Sequence, residues 1–384
     1  MEGYLESKVA EYKILLDWID LEIQQLQKKG EYHHYLIENL KNEIQKAQLL
    51  YTQLKTIASI NVPQLFIRAV PIIHNLELRT RLATHYYIPS LQRENDNDLF
   101  MRKLVLLSAK RLNLPWIKDP IVCFDGPHAI VTSLIETPVI YVPTELNVSL
   151  LDMAGLYHEL GHNVFFRFSN IENDLLMTVS RYFDELIQSV GPMAPEKMRE
   201  RRKTYEYARK YWLTERVNEI FSDIFATYVA GPAYYFFWIN MALSIGANPY
   251  KINPIDLHPP LAARVEACYE ALSPTHKHNN VIKLINKNWN AYTQNHKKEA
   301  DYDFKCSSEL LKRIVNKAIE NIKRDLGLLK PYDKPLPDEK YLKQIPSNMY
   351  LEEILNCATK MFLFSAKNYD DWQKATMKHL RSSV

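Results

Sequence analysis

Two histidines and a glutamate near the middle of the chain have the spacing of a metal site. They belong to the stretch His158-Glu159-Leu160-Gly161-His162. On a helix, residues four apart share one face, so His158 and His162 can both contact one metal ion. Glu159 lies beside that face, where it could accept a proton from a water molecule on the metal. The alternative is a solvated pair of histidines, because so short a pattern also arises by chance.

The residues around this metal motif (residues 158–162) favour a helix. No proline interrupts Leu151–Phe166, and its apolar residues indicate burial on most sides. Asp152, or Ser149 before it, could cap the N-terminus of the helix. Gly161 costs the helix about 1 kcal/mol relative to alanine, which suggests that another backbone approaches closely at this position.

A third metal ligand is expected on a later segment with helical periodicity. Glu219 would complete a His-His-Glu ligand set, one of the standard sets of catalytic zinc. Asp223 lies four residues further on the same face, where it could accept a hydrogen bond from His158 and fix the orientation of that ring. The alternative is that both carboxylates form a solvated helix face. Their apolar neighbours argue against it, since carboxylates in such surroundings need a partner.

A third cluster, Asp256–Arg264, could assist the hydrolysis of a carbonyl substrate. His258 and Arg264 are candidates for donating hydrogen bonds to a developing oxyanion. Pro259 and Pro260 stiffen the backbone after His258 and allow a helix to begin there. The alternative is an ordinary loop followed by a helix in which Arg264 pairs locally.

The sequences HELGH at 158–162 and NEIFSD at 218–223 together resemble the gluzincin clan of zinc metallopeptidases. The interval between the two motifs is longer than in thermolysin-like enzymes. It is more similar to the prenyl-protein-processing peptidases and their minimal soluble relatives, which also share a His-Pro pair followed by an arginine. The resemblance covers Pro120–Cys268, and the flanking parts of the chain resemble no family in the same way.

The resemblance implies a role for each motif residue. Glu159 would be the general base, Glu219 the third zinc ligand beside the histidine pair, and His258 and Arg264 would help to hold the oxyanion. We therefore expect a zinc-dependent metalloendopeptidase that acts on peptide or protein substrates, with one zinc ion per chain. The alternative is a regulatory or interaction protein that keeps a zinc site without turnover, although the presence of Glu159 argues against it.

The expected fold class is α+β and predominantly helical, with a zincin-like metallopeptidase core, a small β-sheet, an N-terminal αα-hairpin and a C-terminal helical extension. Three short β-prone runs precede the metal motif, at 121–124, 129–132 and 139–142. In gluzincins a sheet edge binds an extended substrate by strand addition. Ala129, Ile130 and Val131 are the expected substrate edge, and the alternative is a small structural sheet.

The N-terminal segment contains two runs of apolar residues spaced three and four apart, as in a coiled-coil seam. Their members are Val9, Tyr12, Leu16, Ile19, Ile23 and Leu26, and then Ile37, Leu40, Ile44, Ala47, Tyr51 and Leu54. Gly30 between the runs favours an antiparallel hairpin. The alternative is that the seam pairs with a second chain, which would make the protein a homo-oligomer.

Three domains are expected: a helical hairpin at 1–60, a metallopeptidase domain at 61–300 and a helical extension at 301–384. The last contains a helix at Leu310–Leu326 and a proline-rich loop at 331–346.

Composition gives weaker indications of the partners and the cellular location of the protein. The net charge of the 384 residues is +3, and the basic run Lys197–Lys203 also contains Glu200, so a solvated helix is expected there and no nucleic-acid partner. The 4 cysteines are widely spaced without a C-x-x-C pair, which favours reduced thiols and a cytoplasmic location. The N-terminus also lacks the apolar core of a signal peptide.

One segment is apolar enough to raise the question of a membrane span. No charged residue occurs between Ile224 and Tyr250, a length that could cross a bilayer. Gly231 and Pro232 interrupt the segment, and it begins directly after Asp223. A buried pair of helices behind the metal site is therefore expected, and a membrane span is not.

Overall fold

A computed structural model of the chain describes most of its residues. They are 2–28, 34–60, 63–93, 96–118, 120–124, 131–132, 139–142, 149–190, 196–214, 216–253, 256–336 and 349–383. Contacts divide the chain into two compact units. The first contains residues 1–110 and 114–143, and the second contains 111–113 and 144–384.

The expected α+β fold class, with a zincin-like core that includes a small β-sheet, is wrong. Helices make up 82% of the structure. The strands found among the described residues have four, two and four residues. Strands this short cover little hydrophobic surface, and the helices pack mainly against one another. Apolar runs in the sequence indicate extended backbone, but they do not reveal how small a part of the core it provides.

The short strands belong to the first unit. They are β1 Ile121–Phe124, β2 Val131–Thr132 and β3 Val139–Val142. The order is β1-β3-β2, with β1 parallel and β2 antiparallel to β3. Val131, one of the expected substrate-edge residues, therefore lies at an edge of this sheet, whereas Ala129 and Ile130 lie outside the described residues. Binding of a substrate along this edge stays a prediction.

Two long helices at the N-terminus form the predicted hairpin within one chain. These are α1 Glu2–Lys28 and α2 His34–Ile60, and both pack against α3 Phe66–Arg81. Their buried seam residues are Tyr12, Leu16, Ile19, Ile23, Leu26, Ile37, Leu40, Ile44, Ala47 and Leu54. The same hydrophobic cluster continues through Leu76 to Ile88. The domain boundary expected at residue 60 thus falls inside one hydrophobic core.

Further helices complete the two units. In the first are α4 Ile88–Arg93 and most of α5 Asp96–Arg111. In the second are α6 Gly155–Arg167, α7 Ser169–Ser189, α8 Glu196–Trp212, α9 Arg216–Ala230, α10 Pro232–Ile245, α11 Leu261–Ala271, α12 Pro274–Lys277, α13 Asn280–Gln294, α14 Tyr302–Lys305, α15 Ser308–Leu326, α16 Leu351–Phe364 and α17 Ala366–Ser383.

Helix α9 is the centre of the second unit. It packs against α6, α7, α10, α11, α15 and α16, and nearly all of its side chains are buried. The long uncharged segment is therefore explained by burial, with Gly231 ending α9 and Pro232 beginning α10. None of the helices in the described parts of the chain is long and apolar enough to cross a membrane.

The C-terminal helices are part of the same packing. Helix α15 contacts α7, α9 and α11, while α16 contacts α9 and α10. The boundary expected at residue 300 is thus not a boundary between compact units, because distant segments share this core.

Helices α6 and α9 approach each other closely where they cross at Gly161. A Cβ atom added at Gly161 would lie 2.8 Å from the Cα atom of Ser222. The glycine in the metal motif therefore lets α6 and α9 come together, as its place in a helix suggested.

Gly161→Ala tests this contact. Alanine favours a helix over glycine by about 1 kcal/mol, but overpacking against backbone costs about 1–3 kcal/mol or more. We expect net destabilisation, measured by urea denaturation. The control is Gly155→Ala, whose added Cβ would lie at an ordinary 3.5 Å from the ring of Phe237. That variant should be neutral or slightly more stable. Stabilisation of both proteins would contradict the close approach.

Candidate metal centre

Helix α6 presents the metal motif on a buried face. The rings of His158 and His162 lie with centroids 4.5 Å apart and nearly perpendicular planes. Nitrogens of both rings and a carboxylate oxygen of Glu159 lie within 4.8 Å of one another, so this group could hold a metal ion.

Ahead of the helix, the Ser149 hydroxyl accepts a hydrogen bond from the backbone of Asp152 at 3.3 Å, in a 3₁₀ turn that leads into α6.

Glu219 on α9 reaches both histidines. Its Oε2 lies 3.4 Å from Nε2 of His158, and its Oε1 lies 3.4 Å from Nε2 of His162. Ligands about 2.05 Å from a tetrahedrally coordinated ion stand about 3.4 Å apart. Each of these two distances fits a pair of ligands on one small divalent cation, and they involve different oxygens of the Glu219 carboxylate.

Asp223, one turn beyond Glu219, holds the ring of His158. Its Oδ1 lies 3.0 Å from Nδ1 of His158. The same oxygen accepts hydrogen bonds from the hydroxyl of Tyr234 at 2.6 Å and from the indole of Trp238 at 3.0 Å. A proton on Nδ1 leaves the lone pair of Nε2 facing Glu219, which is the tautomer that a metal ligand needs.

His162 is oriented in the same way by two residues that the sequence analysis did not single out. Its Nδ1 lies 2.9 Å from Oδ1 of Asn218 and 3.0 Å from Oγ of Ser222. Asn218 and Ser222 are four residues apart on α9, so they share a face beside Glu219. That spacing was the available signal, since each metal-binding imidazole needs an acceptor for its second nitrogen.

Arg264 on α11 lies among the buried carboxylates. Its Nε donates to Oδ2 of Asp223 at 2.6 Å, and its Nη2 donates to Oδ1 of Asp223 at 2.9 Å and to Glu219 at 3.2 Å. The guanidinium also stacks on Trp238, 3.9 Å from the ring centroid. These contacts support a role in positioning Glu219 and Asp223. The expected contribution of Arg264 to oxyanion binding stays a prediction.

His258 lies at the exposed side of the group. Its side chain is 54% exposed, and its Nε2 lies 3.5 Å from Oε2 of Glu219. On the other side of the ring, Nδ1 donates to Asp256 at 2.6 Å. Asp256 is in turn held by Arg216, which donates to its backbone carbonyl. Sequence reasoning gave no role to Asp256, although an acid two residues before a histidine is a common way to orient the ring.

The two tyrosines at the start of α10 form hydrogen bonds away from His258. Tyr234 is fully buried with its hydroxyl on Asp223, and the hydroxyl of Tyr235 donates to Asn286.

Burial and charge set the ionisation of these groups. Burial raises the pKa of Glu159 to about 7. Burial alone would lower the pKa of His158, but hydrogen bonds to Asp223 and Glu219 outweigh it and raise that pKa to about 10. Burial is likewise outweighed at Asp223, whose pKa Arg264 holds below the usual range. The carboxylates thus favour positive charge at the imidazoles, and a bound cation would supply it in place of a proton.

Glu159 differs from the other acids of the site. It is 5% exposed, and among the described residues its Oε2 has no hydrogen-bond partner. A buried carboxylate oxygen left unpaired is costly, so a ligand or water molecule is expected to contact it.

Comparisons of the chain with known protein families, with characterised proteins and with solved structures give no match. The geometry of the side chains therefore carries the functional argument, together with the motifs that produce it.

Glu219→Ala tests whether the distant glutamate belongs to the histidine pair. Loss of one of three ligands should weaken binding of a divalent metal by more than the roughly 10–100-fold found for outer-shell changes. Metal per chain is measured by elemental analysis after dialysis. Glu172→Ala, at an exposed position on α7, is the control and should keep its metal. Equal metal content in both variants would show that Glu219 is not a ligand.

Proposed function

We propose that this protein is a zinc-dependent metalloendopeptidase that hydrolyses peptide bonds in peptide or protein substrates. The observation that supports it most is the 3.4 Å spacing between Glu219 and the two histidines, His158 and His162. The nearby carboxylate of Glu159, with one unpaired oxygen, adds the base that hydrolysis requires.

Zinc is the metal that suits this donor set best. Imidazole nitrogens and a carboxylate oxygen are usual zinc ligands, and catalytic sites use three protein ligands so that one position stays open. His158, His162 and Glu219 would hold one ion per chain. Each imidazole already has the second hydrogen-bond acceptor that zinc-binding histidines use.

When bound, zinc lowers the pKa of a water molecule to near 7 and polarises the carbonyl of the substrate. Glu159 then accepts the proton of the attacking water at its unpaired oxygen. Burial favours the protonated form of this carboxyl group, which suits a group that accepts a proton and then gives it up. Glu159 passes the proton to the leaving nitrogen, which completes the cleavage.

His258 is proposed to stabilise the oxyanion that forms on the substrate. Asp256 holds the Nδ1 side of its ring, which leaves Nε2 facing Glu219. The imidazolium form, with a proton on each nitrogen, is the form that would donate to the oxyanion. Exposure of the ring allows contact with a substrate that arrives from solvent. Hydrogen bonds aimed at a developing oxyanion contribute about 2.7–4 kcal/mol to the transition state.

The resemblance to gluzincins supports the same assignment. HELGH, NEIFSD and the His-Pro pair lie far apart in the sequence, yet their side chains form one group. This support comes from the site motifs alone, because the described residues form a mainly helical fold without the expected sheet-based core.

Glu159→Gln separates metal binding from catalysis. The amide keeps the shape of the carboxylate but cannot accept the proton, so turnover should fall by about 10²–10⁴-fold while zinc content stays unchanged. Activity is measured by incubating zinc-loaded protein with a denatured proteome and sequencing the new peptide termini. Glu172→Gln on the exposed face of α7 is the matched control. Cleavage by Glu159→Gln at the wild-type rate would refute Glu159 as the base. If the wild-type protein binds zinc but cleaves no peptide, a zinc-binding protein without turnover would be favoured.

A further inference from the structure

Asn356 on α16 is a fully buried polar side chain with every part of its carboxamide hydrogen-bonded. Its Oδ1 accepts the backbone N–H of Ala233 at 3.1 Å. Its Nδ2 donates to the carbonyl of Ala230 at 2.8 Å and to the carbonyl of Glu352 at 2.7 Å. The carboxamide therefore joins the end of α9, the beginning of α10 and its own helix.

The junction between α9 and α10 needs such a partner. Gly231 occupies the junction with a positive φ of 61° and provides no side-chain cap for α10. A buried helix start leaves its first N–H groups without acceptors, and a buried helix end leaves its last carbonyls without donors. Asn356 satisfies one group of each kind at a position where the local sequence provides neither.

Side chains of α10 contact both Asp223 on α9 and His158 on α6. Tyr234 directly follows Ala233, and its hydroxyl lies 2.6 Å from Oδ1 of Asp223 and 3.1 Å from Nδ1 of His158. Trp238, one turn further along α10, donates to the same oxygen at 3.0 Å. Asp223 belongs to α9, so a change in the α9–α10 junction would displace these donors from the carboxylate that orients His158.

Helix α16 also reaches the helix of the metal motif. Glu352, one turn before Asn356, is 3% exposed and accepts a hydrogen bond from the hydroxyl of Tyr157 at 3.0 Å. Its other oxygen pairs with Arg111. Tyr157 immediately precedes His158, so the first two turns of α16 contact both α6 next to His158 and the α9–α10 junction.

We infer that Asn356 is a positioning residue for the metal centre: it fixes the α9–α10 junction so that Tyr234 and Trp238 hold Asp223 against His158. The inference rests on the proposed zinc site. It gives the C-terminal helix a part in metal affinity that none of the sequence motifs indicates. A purely structural cap would instead change stability and leave the metal affinity of the folded protein unchanged.

Asn356→Leu in the full chain tests the inference, because leucine keeps the approximate size of the side chain and removes all three hydrogen bonds. The zinc dissociation constant is measured by competition with a chelator, and the ligand geometry by visible absorption of the cobalt-substituted protein. We expect about tenfold weaker zinc binding, in the range found for outer-shell residues, and an altered cobalt spectrum. Asn356→Asp keeps the acceptor for Ala233 but turns a carboxylate oxygen toward the carbonyls of Ala230 and Glu352, so its loss of zinc affinity should be at least as large.

Ser307→Ala is the matched control. Ser307 caps α15 by accepting the N–H of Leu310 and contacts no residue of the metal centre. Its loss should lower the melting temperature and leave zinc affinity and the cobalt spectrum as in the wild type.

Several outcomes would overturn the inference. Wild-type zinc affinity in a folded Asn356→Leu or Asn356→Asp protein would make the residue a structural cap only. Failure of both variants to fold would make it a requirement of the fold. If the wild-type chain itself binds no zinc, the proposed function fails as well, so failure of the proposed function can be told apart from failure of the inference about Asn356.

Weakened zinc binding in Asn356→Leu with unchanged zinc binding in the control supports the inference even if the peptide substrate is still unknown.

Discussion

The contact between α6 and α9 is the constraint on which the rest of the site depends. Gly161 has no Cβ, and the backbone of Ser222 occupies the space that a side chain would fill. This close approach places Glu219 within 3.4 Å of both histidine nitrogens. It also brings Asn218 close to His162. If α6 and α9 were further apart, Glu219 on α9 could not reach the two histidines on α6.

Charge balance is the second constraint. Asp223 and Glu219 lie almost out of solvent, and their charges are met by Arg264 and by the imidazole of His158. With both imidazoles neutral and Glu159 ionised, three carboxylates would face one guanidinium. Buried charge of that kind is costly unless it is compensated. A divalent cation between the ligands would compensate it, and its charge would dominate the local field.

Local periodicity can be read from the sequence: a spacing of four residues places His158 and His162 on one helix face, and Glu219 lies beside them in the structure. Zinc binding by these residues stays a prediction. Contacts between distant segments could not be predicted from the sequence. Asn356 takes part through hydrogen bonds to residues more than 120 positions away. The sequence likewise does not show that helices of the expected extension pack on α9. The sheet was overestimated because a short apolar run does not show how much core it covers.

We propose that His158, His162 and Glu219 together bind one zinc ion and leave one coordination position open. X-ray absorption at the zinc edge, on protein loaded with one ion per chain, measures the ligands directly. We expect four nitrogen or oxygen ligands at about 2.0–2.2 Å with an imidazole signature from two histidines. A sulfur shell near about 2.3 Å, or zinc without imidazole ligands, would contradict it.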